Sequence, residues 1–206
     1  LDVLVVGDHA SAFFAAALLK HKTRLRVVHC PGTSADADDR LVLINPRLFD
    51  LHPLLGSLKQ TLPLTPLHGL DFLADHSQTR IEHRAKSPMI FSCPYGDVRQ
   101  GMAQIAEQEG VENLGPLPLR IHRVDEEGLE LELGKHAMKP ASLILAGEVS
   151  AEHKRMLGVP DAWGAELVHC FSYARCKAGR HLLASGKMLM PMSLDLCGQL
   201  CWGWLI

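Results

Sequence analysis

Asp2-Val3-Leu4-Val5-Val6-Gly7-Asp8-His9-Ala10-Ser11-Ala12 is the stretch whose reading decides the fold. The unbroken apolar run Val3 to Val6 reads as a parallel strand buried on both faces, and Gly7 to Ala12 as a tight turn that opens a helix. Phe13 to Leu19 continues without a polar residue, as a covered helix does. Lys20-His21-Lys22-Thr23 then interrupts, and Leu25-Arg26-Val27-Val28-His29 resumes an extended pattern. The result is a βαβ unit at the start of the chain.

The chemistry of this unit lies in its turn. The first turn of a helix presents unpaired backbone N–H groups and a partial positive charge, which suit a pyrophosphate. A dinucleotide turn is written Gly-x-Gly-x-x-Gly/Ala: one glycine turns the chain, the next lets backbone approach phosphate, and the last residue brings helix close to strand. Gly7 and Ala12 match the outer places, His9 stands at the middle one, and Ala10 and Ser11 lie between. The Cβ of His9 narrows the approach to phosphate, so His9, not Asp8, is expected to decide cofactor affinity, and His9→Gly to tighten FAD binding. An acid usually ends the second strand and holds a ribose hydroxyl. Here His29 and Cys30 occupy that place.

Composition narrows the function classes. With 206 residues, 47% of them hydrophobic and 21% charged, the chain can bury a sizeable core. A net charge of -2 supplies no basic footprint, so nucleic acid is not an expected partner. Cys30, Cys93, Cys170, Cys176, Cys197 and Cys201 form no Cys-x-x-Cys pair and read as reduced thiols of a cytoplasmic protein. The 12 histidines include no His-Glu-x-x-His, and no metal site is expected. No apolar run reaches the roughly 18 residues that suggest a membrane span, and no charged leader precedes the first strand. The chain stops inside the apolar Cys201-Trp202-Gly203-Trp204-Leu205-Ile206, which implies either a missing segment or a partner there.

Along the chain, Pro31 to Arg40 reads as an exposed loop and Leu41 to Ile44 as a short strand. Arg47 to Leu73, interrupted by Pro53, Pro63 and Pro66, reads as short helices and turns inserted beside the sheet, with His52 and His68 at the surface. Ile81 to Ala85 and Met89 to Cys93 are expected to pair as a hairpin around Lys86-Ser87-Pro88. Asp97 and Gln100 form a capping box for a helix whose apolar face is Val98, Met102, Ile105 and Ala106 and which ends at Gly110. Leu119 to Val124 and Leu129 to Leu133 alternate as a hairpin with a turn at Asp125 to Gly128, its wet face carrying Glu130 and Glu132. Leu143 to Gly147 reads as a central parallel strand returning to the first sheet, followed by a helical turn within Glu148 to Leu157. Beyond Pro160, Leu167 to Tyr173 and Leu194 to Ile206 are strand-like, and Arg175 to Lys187 is basic and glycine-rich. A boundary near Val159 divides a domain at 1–159 from a β-rich segment at 160–206, the start of a substrate lobe.

This order of elements resembles the FAD-dependent oxidoreductases of the aromatic-hydroxylase, halogenase and geranylgeranyl-reductase superfamily over about the first 160 residues. Ala106-Glu107-Gln108-Glu109-Gly110-Val111 is similar to that family's helix ending, and Ala146-Gly147-Glu148-Val149-Ser150 with Lys154-Arg155 to its Ala-Asp-Gly strand ending. The resemblance implies an α/β, Rossmann-like, three-layer FAD/NAD(P)-binding domain with a β-hairpin insertion. It also implies a site for FAD built from Gly7, His9, Ala10, Ser11, Ala12, His29, Cys30, Ala146 and Gly147, NAD(P)H as reductant, and a small organic substrate. The catalytic residues are not identified. Two other functions are open: a non-catalytic dinucleotide-fold module kept for binding or assembly, and a nicotinamide-dependent reductase using the spacing Tyr173-x-x-x-Lys177.

Overall fold

The computed structural model describes residues 1–32, 40–73, 80–126, 128–147, 150–159, 187–194 and 200–202. In chain order the elements begin β1 (Val3–Val6), α1 (Ala10–Lys22), β2 (Val27–Cys30), β3 (Leu41–Ile44), α2 (Pro53–Thr61), β4 (Thr65–Leu67), β5 (Gly69–Leu73), β6 (Arg80–Arg84) and β7 (Ile90–Pro94). They continue α3 (Tyr95–Gln108), β8 (Glu112–Asn113), β9 (Leu119–Asp125), β10 (Gly128–Leu133), β11 (His136–Met138), β12 (Ser142–Leu145), α4 (Ala151–Met156), β13 (Lys187–Leu194) and β14 (Leu200–Trp202). The chain forms two compact units, Leu1–Asp38 with Val98–Phe171 and Asp39–Asp97 with Ser172–Ile206.

The first unit is built on a parallel sheet in the order β12-β1-β2-β8. Val3 is in register with Ser142 on one side and Val27 on the other, and Val6 with Leu145 and Cys30. The α/β, Rossmann-like reading of the first βαβ unit therefore holds. The returning strand β12 takes the outer place rather than the central one expected of it. Leu143 to Leu145 are half-buried, so the apolar run marks an outer strand of the sheet.

Side chains alternate across a strand, and the two faces of this sheet meet different layers. Leu4, Val6, Val28 and Cys30 pack with Leu131 and Leu133 of β10 in one buried cluster. On the other face, His29 lies against Phe13 of α1. Helix, parallel sheet and antiparallel sheet make three layers. The hairpin expected at Leu119–Leu133 is present as β9 and β10, extended by β11, which the sequence did not suggest. Its wet face carries ion pairs from Glu130 to Arg123 and Lys139, in keeping with a solvated role for that glutamate.

Alpha-helix α3 begins at Tyr95, directly after β7, and not at Asp97. Asp97 lies inside the first turn, where its charge still opposes the helix dipole. The far end falls where expected: Gly110 has φ +76°, and Gly110 and Val111 donate to the carbonyls of Glu107 and Ala106 at 2.9 and 3.0 Å. That is a left-handed glycine cap closing the last turn.

The described residues of the second unit form two sheets, β3-β7-β4 and β14-β13-β5-β6. Here two expectations are corrected. Residues 65–73 are the strands β4 and β5 rather than helices and turns, and β5 runs parallel to β13, Gly69 beside Lys187. β6 and β7 do not form a hairpin: β6 pairs with β5, while β7 pairs with β3 and β4. The helical reading holds for Pro46–Asp50, a 3-10 turn, and for α2, whose Leu54, Leu55 and Leu58 are buried. His52 caps α2, its Nδ1 accepting from the Leu54 N–H at 3.2 Å. Residues 160–186, with the expected strand at Leu167–Tyr173, the Tyr173/Lys177 spacing and Cys170 and Cys176, lie outside the described residues, as do 203–206.

Candidate functional site

Gly7 is the hinge of the turn, for a reason beyond tight turning. It has φ +147°, and a Cβ added there would overlap the Ala146 carbonyl oxygen and lie 3.5 Å from the Ala12 Cβ. The Gly7 N–H donates to Cys30 O and the Ala146 N–H to Val6 O, both at 2.9 Å. Three strand ends thus converge on one residue without a side chain. Ala12, fully buried, lets α1 approach the sheet as closely as its small side chain allows.

The N-cap of α1 is His9, whose backbone is extended and whose side chain makes no capping hydrogen bond. The first turn contains no acidic residue, and the last turn holds Lys20, His21 and Lys22. The basic last turn complements the helix dipole, while no acid within the first turn offsets its positive end. Ser11 is exposed and Ala10 half-buried at that end. His9 is exposed, and its ring lies beside Gly147, where an added Cβ would come 2.9 Å from His9 Cδ2. With φ +126°, Gly147 is held to glycine by both space and conformation.

His29 lies beneath the turn. Its Nε2 is 2.9 Å from the Gly7 carbonyl oxygen, and its ring centroid is 4.3 Å from that of Phe13. A carbonyl only accepts, so the ring carries its proton on Nε2. Burial holds the His29 pKa below its ordinary value, against the opposing pull of the Gly7 bond and the Asp8 charge. The imidazole is neutral near pH 7, and its buried Nδ1 has no hydrogen-bond partner among the described residues.

The structure gathers Gly7, His9, Ala10, Ser11, Ala12, His29, Ala146 and Gly147 around one turn. Cys30 is different: its side chain faces the opposite layer, with Sγ 3.4 Å from Gly115 O and 3.6 Å from Leu117 O. Two further residues join the group: Arg99, which the sequence does not single out, and Asp8, which the sequence reading sets aside in favour of His9. Asp8 Oδ2 accepts from Arg99 Nη1 of α3 at 2.5 Å. A signal for Arg99 did exist. It stands three and seven residues before the buried Met102 and Ala106, so a lone cation shares their helical stripe.

The turn suits a pyrophosphate in the lack of an acid in the helix's first turn, in its side-chain-free Gly7 and in the Arg99 cation that Asp8 pairs. It departs from the usual dinucleotide turn at His9, whose exposed ring lies beside Gly147, and at His29, a buried neutral imidazole where a carboxylate is usual. Among the described residues no three His, Cys, Asp or Glu side chains gather as a metal site, and no helix is long and apolar enough to cross a membrane.

No family model and no curated protein matches this chain. Its fold is similar to that of several solved flavoproteins. The halogenase PltM, solved with phloroglucinol and FAD, is 18% identical, with 76% of this chain and 36% of that one covered at a TM-score of 0.58. PqsL of Pseudomonas aeruginosa, described as a probable FAD-dependent monooxygenase, is 19% identical, with 79% and 46% covered at 0.62. A flavoprotein/dehydrogenase of Cytophaga hutchinsonii is 18% identical, with 81% and 44% covered at 0.57. The chain spans less than half the length of each of these proteins.

Proposed function

We propose that this chain is the cofactor-binding part of an FAD-dependent oxidoreductase of the monooxygenase, halogenase or reductase kind, acting on a small organic molecule with NAD(P)H as reductant. The observation that carries the reading is the turn Gly7–Ala12. It sits at the C-terminal end of a parallel strand and opens α1 with no acid in the helix's first turn. The fold shared with flavoproteins, one of them solved with FAD, supports the same reading.

FAD, when bound, supplies the redox chemistry, and the protein supplies binding, orientation and exclusion of water. The residues that would hold it are Gly7, Ala10, Ser11 and Ala12 at the helix end, with Ala146 and Gly147 beside them. His29 keeps the turn in shape by donating to Gly7 O and, being neutral, adds no charge of its own. The Cβ of His9 narrows the approach of a phosphate to the backbone.

The test is a titration of the purified protein with FAD, read by flavin fluorescence and by flavin retained through gel filtration. Saturable binding of one FAD per chain, competed by ADP, is expected. A folded protein that neither retains nor saturably binds FAD would overturn the reading and favour the non-catalytic module.

A further inference from the structure

The ion pair in the turn does more than tie two elements together. Asp8 belongs to the turn itself, between Gly7 and the N-cap His9, and Arg99 reaches it from a helix 91 positions along the chain. A carboxylate is an unhelpful neighbour for a phosphate, since like charges at close range repel. Its partner is a guanidinium with five N–H donors, which typically grips carboxylates and phosphates through two parallel bonds. Only Nη1 of Arg99 is engaged, with one oxygen of Asp8, and no second partner is present among the described residues. Arg99 retains 34% side-chain exposure and Asp8 19%, so the pair is accessible from solvent but not dispersed in it. Beneath them His29, 1% exposed, leaves Nδ1 without a partner. The local polar network is incomplete as it stands.

We infer that Asp8 is an internal counter-ion that holds Arg99 in place of a ligand phosphate and thereby sets the affinity of the turn for dinucleotides. This inference rests on the reading of Gly7–Ala12 as the pyrophosphate turn. With Asp8 present, Arg99 is paired with an anion before any ligand arrives, and an incoming diphosphate meets the Asp8 charge. With Asp8 neutral, the whole cation and its unused donors face the ligand.

The experiment measures the Kd of ADP by calorimetry at low salt for the wild type, Asp8→Asn, Asp8→Ser, Arg99→Gln and the Asp8→Asn/Arg99→Gln double variant, with circular dichroism confirming the fold. Asp8→Asn keeps the shape and an acceptor for Arg99 while removing the charge, and should bind ADP about five-fold more tightly. Asp8→Ser should show the same direction of change. The gain should vanish in the Arg99→Gln background and shrink at high salt. Equal or weaker binding by both Asp8 variants, in a protein that does bind FAD, would overturn the inference alone and make Asp8 a scaffold for Arg99. Failure of every folded variant and of the wild type to bind either ADP or FAD would overturn the underlying reading and the inference with it.

Discussion

His29 couples the turn to pH through a single buried imidazole. Its folded pKa lies below the ordinary value near 6.5 because burial penalises the charged ring. Above the unfolded pKa both states are neutral and the native contact costs nothing. As pH falls below about 6.5 the unfolded chain takes up a proton that the folded one resists, so stability declines toward the folded pKa. His29→Gln keeps a donor for Gly7 O and removes the titration. Urea unfolding between pH 7.5 and 5 should show a shallower loss of stability in the variant, whatever its absolute stability. His9→Gly acts on binding instead: glycine is a fair N-cap, so stability should change by only a few tenths of a kcal/mol while FAD affinity rises. An unchanged or lower affinity would make the His9 ring a ligand contact. The sequence made Gly7 and Ala12 legible through their spacing, but the Ala146 carbonyl that forbids a side chain at Gly7 arrives from 139 residues away. The stripe of Met102 and Ala106 marks Arg99 as a lone cation, but that its partner is Asp8, 91 positions away, leaves no local pattern.

Elements with strong local signals were read well, and elements whose pairing is decided elsewhere were not. The end of α3 shows the first case: Gly110 stands in the left-handed region with nothing within 4 Å of an added Cβ. Gly110→Ala therefore meets only a conformational penalty, and a loss of about 1–2 kcal/mol in denaturant unfolding is expected. A larger loss would point to a packing role that the surroundings do not contain. β6 and β7 show the second case. Both were recognised as extended, yet their partners are β5 for one and β3 and β4 for the other, so adjacency in sequence misled. Thr65–Leu73 escapes because Pro63 and Pro66 read as breakers, although β4 uses Pro66 against β7 and β5 is stabilised by β13 more than a hundred residues later. The start of α3 moved from Asp97 to Tyr95 because its entry is fixed by a backbone bond, Tyr95 N–H to Arg40 O at 2.9 Å. No residue pattern around Asp97 encodes that bond.

At the scale of the molecule, the first unit depends on its parallel sheet and its antiparallel sheet meeting in one apolar cluster. Leu4, Cys30 and Leu133 are at 0% exposure and Leu131 at 1%, so Leu131→Ala would leave a cavity between the parallel sheet and the β9–β11 sheet. A loss of about 2–5 kcal/mol is expected, with cooperative unfolding shifted to lower urea. The sheet that cluster supports places the ends of β1, β2 and β12 together, and the proposed cofactor site is that junction. The most direct test is an amide NMR titration of the 15N-labelled protein with ADP. The account predicts the largest shifts at Gly7, Asp8, His9, Ala10, Ser11, Ala12 and Gly147, saturating together, with Arg99 following. Saturating shifts centred anywhere else, or none at all from a folded protein, would contradict it.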